Sequence, residues 1–290
     1  MKLKLIFNPA AGKGKAALVW PKIKQIFDAS KVNYDFVTTT KRGDGTPLAT
    51  AAVQAGYDTI VAVGGDGLAN EVLNGIGEKT TFGIIPCGEG NDFLKMFGQT
   101  FADVEANCQA IINGKTRKID IGVINGRLFL NMIGIGFDGE VAERKAQTSK
   151  YLSGFYAYLV QIFPLLLTYK PKTVQIKMNG VQLKADILLL TIGNGRYSGG
   201  GFKLTPEAEL DDGLFDVCLS KYPGRFTVLT SIAKVPKGEH TKLPFATMFR
   251  TATIDISSDQ PLAAHVDGEI LKECCYQIKI LPLRLNIIIK

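Results

Sequence analysis

Two glycine-bracketed acidic segments carry residues that could bind phosphate. They are VGGDGL at 63–68 and PCGEGNDF at 86–93, and each follows an apolar run. Apolar residues at helical spacing follow the first segment, which predicts a strand-to-helix turn there. Glycines let the backbone approach an anion, amides at a helix start donate to it, and a carboxylate such as Asp66 can hold a bridging magnesium ion. The pair predicts a nucleotide triphosphate site, whereas one such turn alone also suits an ordinary α/β sheet.

Three later segments could also form sites. The glycine-rich run 193–202 is too flexible for a simple strand, and LDDG at 210–213 offers oxygen donors that suit a hard cation or a solvated hairpin turn. Asp267 and Glu269 alternate around Gly268. If the backbone is extended, both carboxylates project from one side and could accept a proton from a hydroxyl; the alternative is a β-turn. We interpret His265 as a hydrogen-bonded residue rather than a catalytic one.

The first part of the chain alternates strand-like and helical patterns, which predicts a parallel sheet. Strands are expected at 2–7, 34–38, 59–63 and 82–85, and helices at 16–27, 47–55 and 70–76. Ligands of such sheets bind beyond the carboxyl ends of the strands. The loops expected at that edge are 8–14, 38–40, 64–67 and 88–92.

From about residue 118 the pattern changes to strands separated by turns, including hairpin turns at Asn125-Gly126 and Asn179-Gly180. Strands are expected at 118–124, 127–133, 173–178, 186–192, 214–219, 251–257 and 276–281. The sequence therefore predicts an α/β domain at 1–120 and a β-rich domain at 121–282. Whether 283–290 rejoin the first domain is left open.

The uncharged stretch 151–169 is the nearest approach to a membrane segment. Pro164 should kink or end a helix there, and the stretch is short for a span, so we expect a buried helix or a helix that lines an acyl-chain cleft or touches a membrane surface. The formal charge of +7 suits an anionic partner, but the basic residues are scattered, which argues against nucleic acid. Five cysteines without metal-type spacing are expected to be reduced and mostly buried.

Taken in order, these motifs resemble the diacylglycerol kinase and sphingosine kinase superfamily, most closely its soluble bacterial lipid kinase branch. The resemblance covers nearly the whole chain. The motifs that carry it are NPAAG at 8–12, GGDG at 64–67, NEV at 70–72, NG at 74–75, Pro86, Gly88, GNDF at 90–93, GNG at 193–195, LDDG at 210–213 and DGE at 267–269.

The resemblance implies ATP- and magnesium-dependent phosphorylation of a lipid hydroxyl, with diacylglycerol as the default substrate and a role in phospholipid biosynthesis. It implies an α/β domain with a nucleotide site like that of NAD kinase and phosphofructokinase, and a C-terminal β-sandwich that binds the lipid. We expect a cytoplasmic protein with peripheral contact at the inner membrane surface; a homodimer is left open.

Site residues follow from the resemblance residue by residue. The catalytic candidates are Asp66, Asp267 and Glu269, with the base unassigned between the last two. A structural magnesium site would use the Asp212 side chain and the backbone carbonyls of Glu209 and Leu214. The residues expected around ATP are Asn8, Pro9, Ala10, Ala11, Gly12, Thr39, Gly65, Asp66, Gly67, Leu68, Ala69, Asn70, Glu71, Gly88 and Glu89.

Two departures from the family pattern bear on function. Leu68 and Glu89 stand where bacterial members usually have hydroxyl side chains. An ionised Glu89 would repel ATP unless magnesium or a lysine lies between them. Two alternatives therefore stay open: a catalytically weak lipid-binding or regulatory relative, and a soluble-metabolite kinase such as NAD kinase, which shares the Gly-Gly-Asp-Gly turn.

Overall fold

The computed structural model describes residues 2–148 and 154–290. The chain forms two compact units. The first comprises residues 1–121 with 282–290, and the second comprises residues 122–281.

The first unit alternates strands and helices along the chain. Its strands are β1 (Leu3–Phe7), β2 (Tyr34–Thr38), β3 (Thr59–Gly64), β4 (Thr81–Pro86) and the start of β5 (Thr116–Ile124). Its helices are α1 (Lys15–Ala29), α2 (Gly45–Gln54), α3 (Asp66–Leu73) and α4 (Val104–Asn113), with a 3₁₀ helix at Phe93–Phe97.

Parallel pairing orders four of these strands as β2, β1, β3 and β4. Every residue of the central strand β3 is buried, as expected for a strand covered on both faces. Near the C-terminus, Asn286 and Ile287 pair in parallel with Thr81 and Phe82 of β4. The loops after β1, β3 and β4 all leave from the carboxyl ends of neighbouring parallel strands, so they come together at one edge.

The second unit is built mainly of antiparallel strands. They are β6 (Arg127–Phe129), β7 (Met132–Gly136), β8 (Lys172–Met178), β9 (Val181–Gly193), β10 (Tyr197–Ser198), β11 (Phe202–Lys203), β12 (Phe215–Lys221), β13 (Ala246–Thr251), β14 (Thr253–Val266) and β15 (Glu269–Ile288, of which residues from 282 belong to the first unit). Its helices are α5 (Phe137–Thr148), α6 (Gly154–Thr168) and α7 (Arg225–Ser231), followed by 3₁₀ helices at Ile232–Lys237 and Glu239–Lys242.

The strands of the second unit enclose one apolar core. β9 pairs with β7, β8 and β12, and β14 pairs with β7, β8 and β15. Their inward side chains form a cluster that includes Phe129, Phe215 and Tyr276, all fully buried. The hairpin turns predicted at Asn125-Gly126 and Asn179-Gly180 are confirmed: all four residues have positive φ, and each pair joins two antiparallel strands.

The structure corrects three details of the sequence prediction. The strand expected at 127–133 is interrupted, because the backbone amides of residues 130–132 turn to donate to the Asp267 carboxylate. Helices α5 and α7 were not predicted within the β-rich region. Helix α6 continues through Pro164 to Thr168, because Leu165 and Leu166 beyond it pack in the core; residues 151–153 of the predicted stretch lie outside the described residues.

Helix α6 is 15 residues long. Among the described residues, no helix combines the length and apolar composition needed to cross a membrane.

Candidate functional site

Three glycine loops of the first unit pack directly on one another. Added as a test atom, a Cβ on Gly88 would lie 2.6 Å from the Cα of Gly65, and a Cβ on Gly12 would lie 2.5 Å from the carbonyl oxygen of Cys87. The amide of Cys87 donates to the Gly64 carbonyl at 2.6 Å. A side chain at these glycines would force the loops apart, so the close approach of backbone to backbone explains the residue type.

Asp66 begins helix α3, and Gly65 is its N-cap. Carboxylates of Asp66 and Asp92 both lie beside Gly90, where an added Cβ would be 3.2 Å from Oδ2 of Asp66 and 3.5 Å from Oδ2 of Asp92. The Nζ of Lys95 is 2.5 Å from the other oxygen of Asp92. Two carboxylates and an ammonium group thus surround the glycine of the second loop, an arrangement that can hold a hard cation together with phosphate oxygens.

Asn8 anchors the start of the loop at 8–14. The Asn8 amide donates to the Val63 carbonyl at 3.0 Å, and the Asn8 Oδ1 accepts from the Ala10 amide at 3.0 Å. Gly12 and Gly14 have φ of 60° and 87° just before helix α1 begins. Buried Thr39 follows β2, and its amide donates to the Phe7 carbonyl. These predicted ATP-binding residues therefore lie at the edge where β1 and β3 end.

Glu71 and Leu68 of the predicted ATP set have structural contacts. The two carboxylate oxygens of Glu71 accept from the amides of Gly43 and Gly45, each at 2.8 Å. Buried Leu68 lies against Gly64, where an added Cβ would be 2.8 Å from its Cδ2. Glu71 therefore fixes the loop before α2, and Leu68 fills space beneath the glycine turn.

Glu89, the carboxylate of the second loop, has a basic partner from the first loop. The Nζ of Lys13 lies 3.7 Å from Oε1 of Glu89, and both side chains are partly exposed. Lys13 has φ of 58°, between two glycines that also have positive φ. Magnesium or a lysine could offset the charge of Glu89, and Lys13 of the neighbouring glycine loop is a lysine that lies beside it.

Asp267 has a structural role in the second unit. Its Oδ2 accepts from the Leu130 amide at 2.7 Å, and its Oδ1 accepts from the amides of Asn131 and Met132 at 3.0 and 2.9 Å. The Asp267-Gly268 pair forms a two-residue turn between Val266 and Glu269, with φ of 50° and 87°. The extended reading of this segment is therefore wrong, and the β-turn reading is correct.

Glu269 is half-buried as the first residue of β15. It follows a turn that Asp267 locks to residues 130–132. The same segment holds the glycine-rich loop, since the Asn194 side chain donates to the Leu130 carbonyl at 2.6 Å, and the amides of Asn194 and Gly195 donate to the Asn131 carbonyl. This network fixes the backbone turn that immediately precedes Glu269.

The acidic turn predicted to bind magnesium contains a guanidinium group. Arg250 of β13 pairs with Asp212, and its Nε is 3.6 Å from Oδ2 of Asp216. The Asp212 Oδ1 accepts from the Leu214 amide at 3.0 Å. Burial, together with Glu207 and Glu209, raises the pKa of the Asp216 carboxyl to about 6.

Among the described residues, no group of three or more Asp, Glu, His or Cys side chains is placed to hold a metal ion, so a cation at this turn would depend on Asp212 and on backbone carbonyls. Burial is the main cause that raises the pKa of Asp216, and the charges of Glu207 and Glu209 add to it; a second positive charge nearby would favour the charged carboxylate. The residues that would hold the ion are Asp212 through its side chain and Glu209 and Leu214 through their carbonyls. The guanidinium group of Arg250 already places one positive charge beside Asp212 and Asp216.

An apolar cavity lies inside the second unit. Its volume is about 810 Å³, counted with its opening to solvent. The lining includes apolar side chains of helices α5, α6, α7 and the 3₁₀ helix after α7, among them Val141, Ile162, Val228 and Ile232, together with Leu188 of β9 and Phe202 of β11. Asp138 is the carboxylate on this lining, and its Oδ2 lies 2.8 Å from Nε2 of buried His265. The pocket therefore combines a long apolar wall with one acidic group.

Local sequence patterns do not identify three candidate site residues of the structure. Asp92 lies in the GNDF motif at 90–93, but the motif alone does not show that its carboxylate lies beside that of Asp66. Lys13 lies between two glycines, and no sequence pattern there indicates that it pairs with Glu89. Asp138 stands far from His265 in the chain, so no local pattern joins them; only the pairing of β14 with β7, which precedes α5, brings them together.

The two parts of the chain match two described protein families. Residues 2–124 match the diacylglycerol kinase catalytic domain, and residues 131–289 match the YegS C-terminal NAD kinase beta sandwich-like domain. A diacylglycerol kinase of Staphylococcus epidermidis is 32% identical over 271 residues, covering 92% of this chain and 85% of that protein. A diacylglycerol kinase of Bacillus subtilis is 29% identical over 271 residues, covering 92% and 89%.

Solved structures show the same likeness. One described as a diacylglycerol kinase from Bacillus anthracis has a TM-score of 0.78 at 25% identity, covering 100% of this chain and 97% of that chain. An NAD kinase from Archaeoglobus fulgidus in complex with ATP has a TM-score of 0.53 at 11% identity, covering 99% and 93%. The second likeness concerns the fold alone.

Proposed function

The chain belongs to the diacylglycerol kinase family, and from this premise we propose that it transfers the γ-phosphoryl group of ATP to a hydroxyl group of a lipid. Diacylglycerol is the first substrate to test. The observation that carries the lipid assignment is the apolar cavity of the second unit, lined by helices α5, α6 and α7. Such a wall suits acyl chains and offers little to a soluble metabolite such as NAD.

The first unit supplies the nucleotide site of this proposal. Phosphates would lie against the packed glycine loops, with amides at the start of α3 directed toward them. Asp66 and Asp92 beside Gly90 would hold the magnesium ion that ATP brings, and Lys13 and Lys95 would offset their charge and that of Glu89. Phosphoryl transfer depends mainly on such positioning and electrostatic stabilisation.

In this proposal the second unit binds the lipid and provides the catalytic base. In this proposal Glu269 accepts the proton of the attacking lipid hydroxyl, and Asp267 keeps the turn that presents Glu269 in place. A structural magnesium ion at Asp212, with the carbonyls of Glu209 and Leu214, would order the acidic turn without taking part in the transfer. We place the protein in the cytoplasm, in peripheral contact with a membrane that carries its substrate.

The test is transfer of label from γ-labelled ATP, with magnesium, to diacylglycerol, sphingosine, ceramide, a polyprenol and NAD in parallel reactions. We expect labelled lipid from the unmodified protein and none from Asp66→Asn. Exposed Asp259 of β14 provides the matched control, and Asp259→Asn should retain activity. Label on NAD alone would contradict the proposal, and so would full lipid kinase activity in a folded Asp66→Asn variant.

A further inference from the structure

Two helices of the second unit expose large apolar side chains. On α6, Val160, Phe163 and Leu167 are 50%, 49% and 70% exposed; on α7, Phe226 and Leu229 are 78% and 42% exposed. Residues spaced by three, four and seven positions lie on one side of a helix, so each helix carries an outward apolar stripe. A helix at the surface of a soluble protein usually turns polar side chains outward, so these stripes require an explanation.

The opposite sides of the same helices line the apolar cavity. Ile162 of α6 and Val228 of α7 both lie on its wall, followed by Ile232 and Val235 of the next 3₁₀ helix. Ile162, Leu165, Leu166 and Val228 also share one buried cluster. The exposed stripes are therefore carried by the elements that enclose the cavity.

The charges around the stripes are mainly positive. Residues 154–168 of α6 contain no charged side chain, and Lys170 and Lys172 follow them. The segment 222–245, which contains α7, has Arg225, Lys234, Lys237 and Lys242 against the single acidic residue Glu239. Basic side chains beside exposed apolar ones complement the surface of a membrane that contains anionic lipids.

We propose that the exposed faces of α6 and α7, with the basic residues of 222–245, form a surface that docks on an anionic lipid bilayer. Phe163, Leu167, Phe226 and Leu229 enter the interfacial layer, and Arg225, Lys234 and Lys237 contact lipid head groups. In the described part of the chain α6 spans 15 residues, where about 20 are needed to cross a bilayer, so in this proposal α6 lies at the surface of the membrane. Docking brings the helices that wall the cavity to the lipid phase. This inference rests on the proposed lipid substrate but requires no catalysis.

Vesicle sedimentation without ATP tests the surface separately from kinase activity. The vesicles are phosphatidylcholine alone or a mixture of phosphatidylcholine and phosphatidylglycerol. We expect binding to the mixed vesicles, and we expect the double variant Phe226→Ser/Leu229→Ser to reduce the partition coefficient about tenfold or more, since it removes two exposed apolar side chains from the contact. The double variant Lys234→Gln/Lys237→Gln should reduce binding to mixed vesicles and leave binding to phosphatidylcholine alone nearly unchanged.

Matched controls come from exposed apolar residues elsewhere. Leu18 of α1 is 80% exposed and Val181 of β9 is 58% exposed, so Leu18→Ser and Val181→Ser remove comparable side chains that belong to neither α6 nor α7. Both should bind vesicles as the unmodified protein does. Circular dichroism and the unfolding temperature of each variant identify any that fail to fold, and Phe163→Ser/Leu167→Ser provides a second test of the surface.

Three results would overturn the proposal. The first is the absence of vesicle binding by the unmodified protein. The second is unchanged vesicle binding in both folded double serine variants. The third is a dimer in solution that these variants convert to a monomer without a change in vesicle binding. The last result would make the surface a contact between two copies. If lipid kinase activity in detergent is intact while vesicle binding fails, only the docking proposal is wrong; if binding succeeds without kinase activity, the proposed function is wrong.

Discussion

The ammonium group of Lys13 lies 3.7 Å from the carboxylate of Glu89, and the two residues come from neighbouring glycine loops of the first unit. Both side chains are partly exposed, so the pair contributes little to folding stability. Its importance lies in the proposed phosphate site, where a glutamate without a partner would repel the polyphosphate. In the proposed site, Lys13 would offset the negative charge that Glu89 places near the phosphates.

We predict that Lys13→Gln raises the KM for ATP about fivefold to tenfold, because one unit of positive charge is lost next to Glu89 and the phosphates. The double variant Lys13→Gln/Glu89→Gln should recover most of this loss. Exposed Lys31, which follows α1, is the control site, and Lys31→Gln should leave the KM unchanged. An equal KM in the single and double variants would show that the charge of Glu89 does not affect ATP binding.

Local patterns predicted the elements of the first unit well. The strand at 34–38 has the predicted limits, and β3 and β4 extend the predicted strands by only one or two residues. These segments are short apolar runs between glycine or polar turns, so their limits are encoded locally. Helix α3 begins at Asp66, earlier than the apolar spacing alone indicated, because Gly65 provides the break at its N-terminus.

The second unit was harder to predict because its decisive contacts join distant residues. The carboxylate of Asp267 accepts from the amides of Leu130 and Met132, more than 130 positions earlier in the chain. No local pattern distinguishes such an acceptor from a catalytic base. The pairing of Arg250 with Asp212 and the helices around the cavity likewise depend on strand order, which the sequence does not display.

Substitutions of Asp267 and of Glu269 should have different effects, the first on folding stability and the second on catalysis. We predict that Asp267→Asn lowers the unfolding temperature by several degrees, because three backbone amides lose a charged acceptor, and each such bond contributes about 1.5–3 kcal/mol. Glu269→Gln should lower kcat about a hundredfold or more while leaving the unfolding temperature nearly unchanged. The measurements are thermal unfolding and steady-state kinetics on the same preparations.

The opposite result for Asp267 and Glu269 would change the assignment of the base. If Glu269→Gln retains kcat while a folded Asp267→Asn variant loses it, the base is Asp267 and its three hydrogen bonds serve to orient it. Glu273 of the same strand is exposed, and Glu273→Gln is the matched control that should affect neither property.

The cysteines should differ sharply in reactivity. Cys87, Cys108 and Cys218 are buried, and burial raises the pKa of Cys87 and of Cys108 to about 12, so their thiols stay protonated at neutral pH. Cys274 and Cys275 are exposed on β15. We predict that a disulfide reagent modifies two thiols in the native protein and all five in denaturant. The double variant Cys274→Ser/Cys275→Ser should show no rapid native reaction; rapid modification of any remaining cysteine would contradict the assignment.

Removing Arg250 should make the acidic turn dependent on magnesium. In Arg250→Met the carboxylates of Asp212 and Asp216 lose their guanidinium partner, so we expect the unfolding temperature in EDTA to fall by about 2–4 °C, which corresponds to roughly 1 kcal/mol in a domain of about 150–250 residues. Magnesium should restore part of that loss, whereas Asp212→Asn in the same background should abolish the recovery. Arg225→Met, at an exposed position of α7, is the control. An unfolding temperature of Arg250→Met that does not respond to magnesium would remove Asp212 from the proposed ligand set.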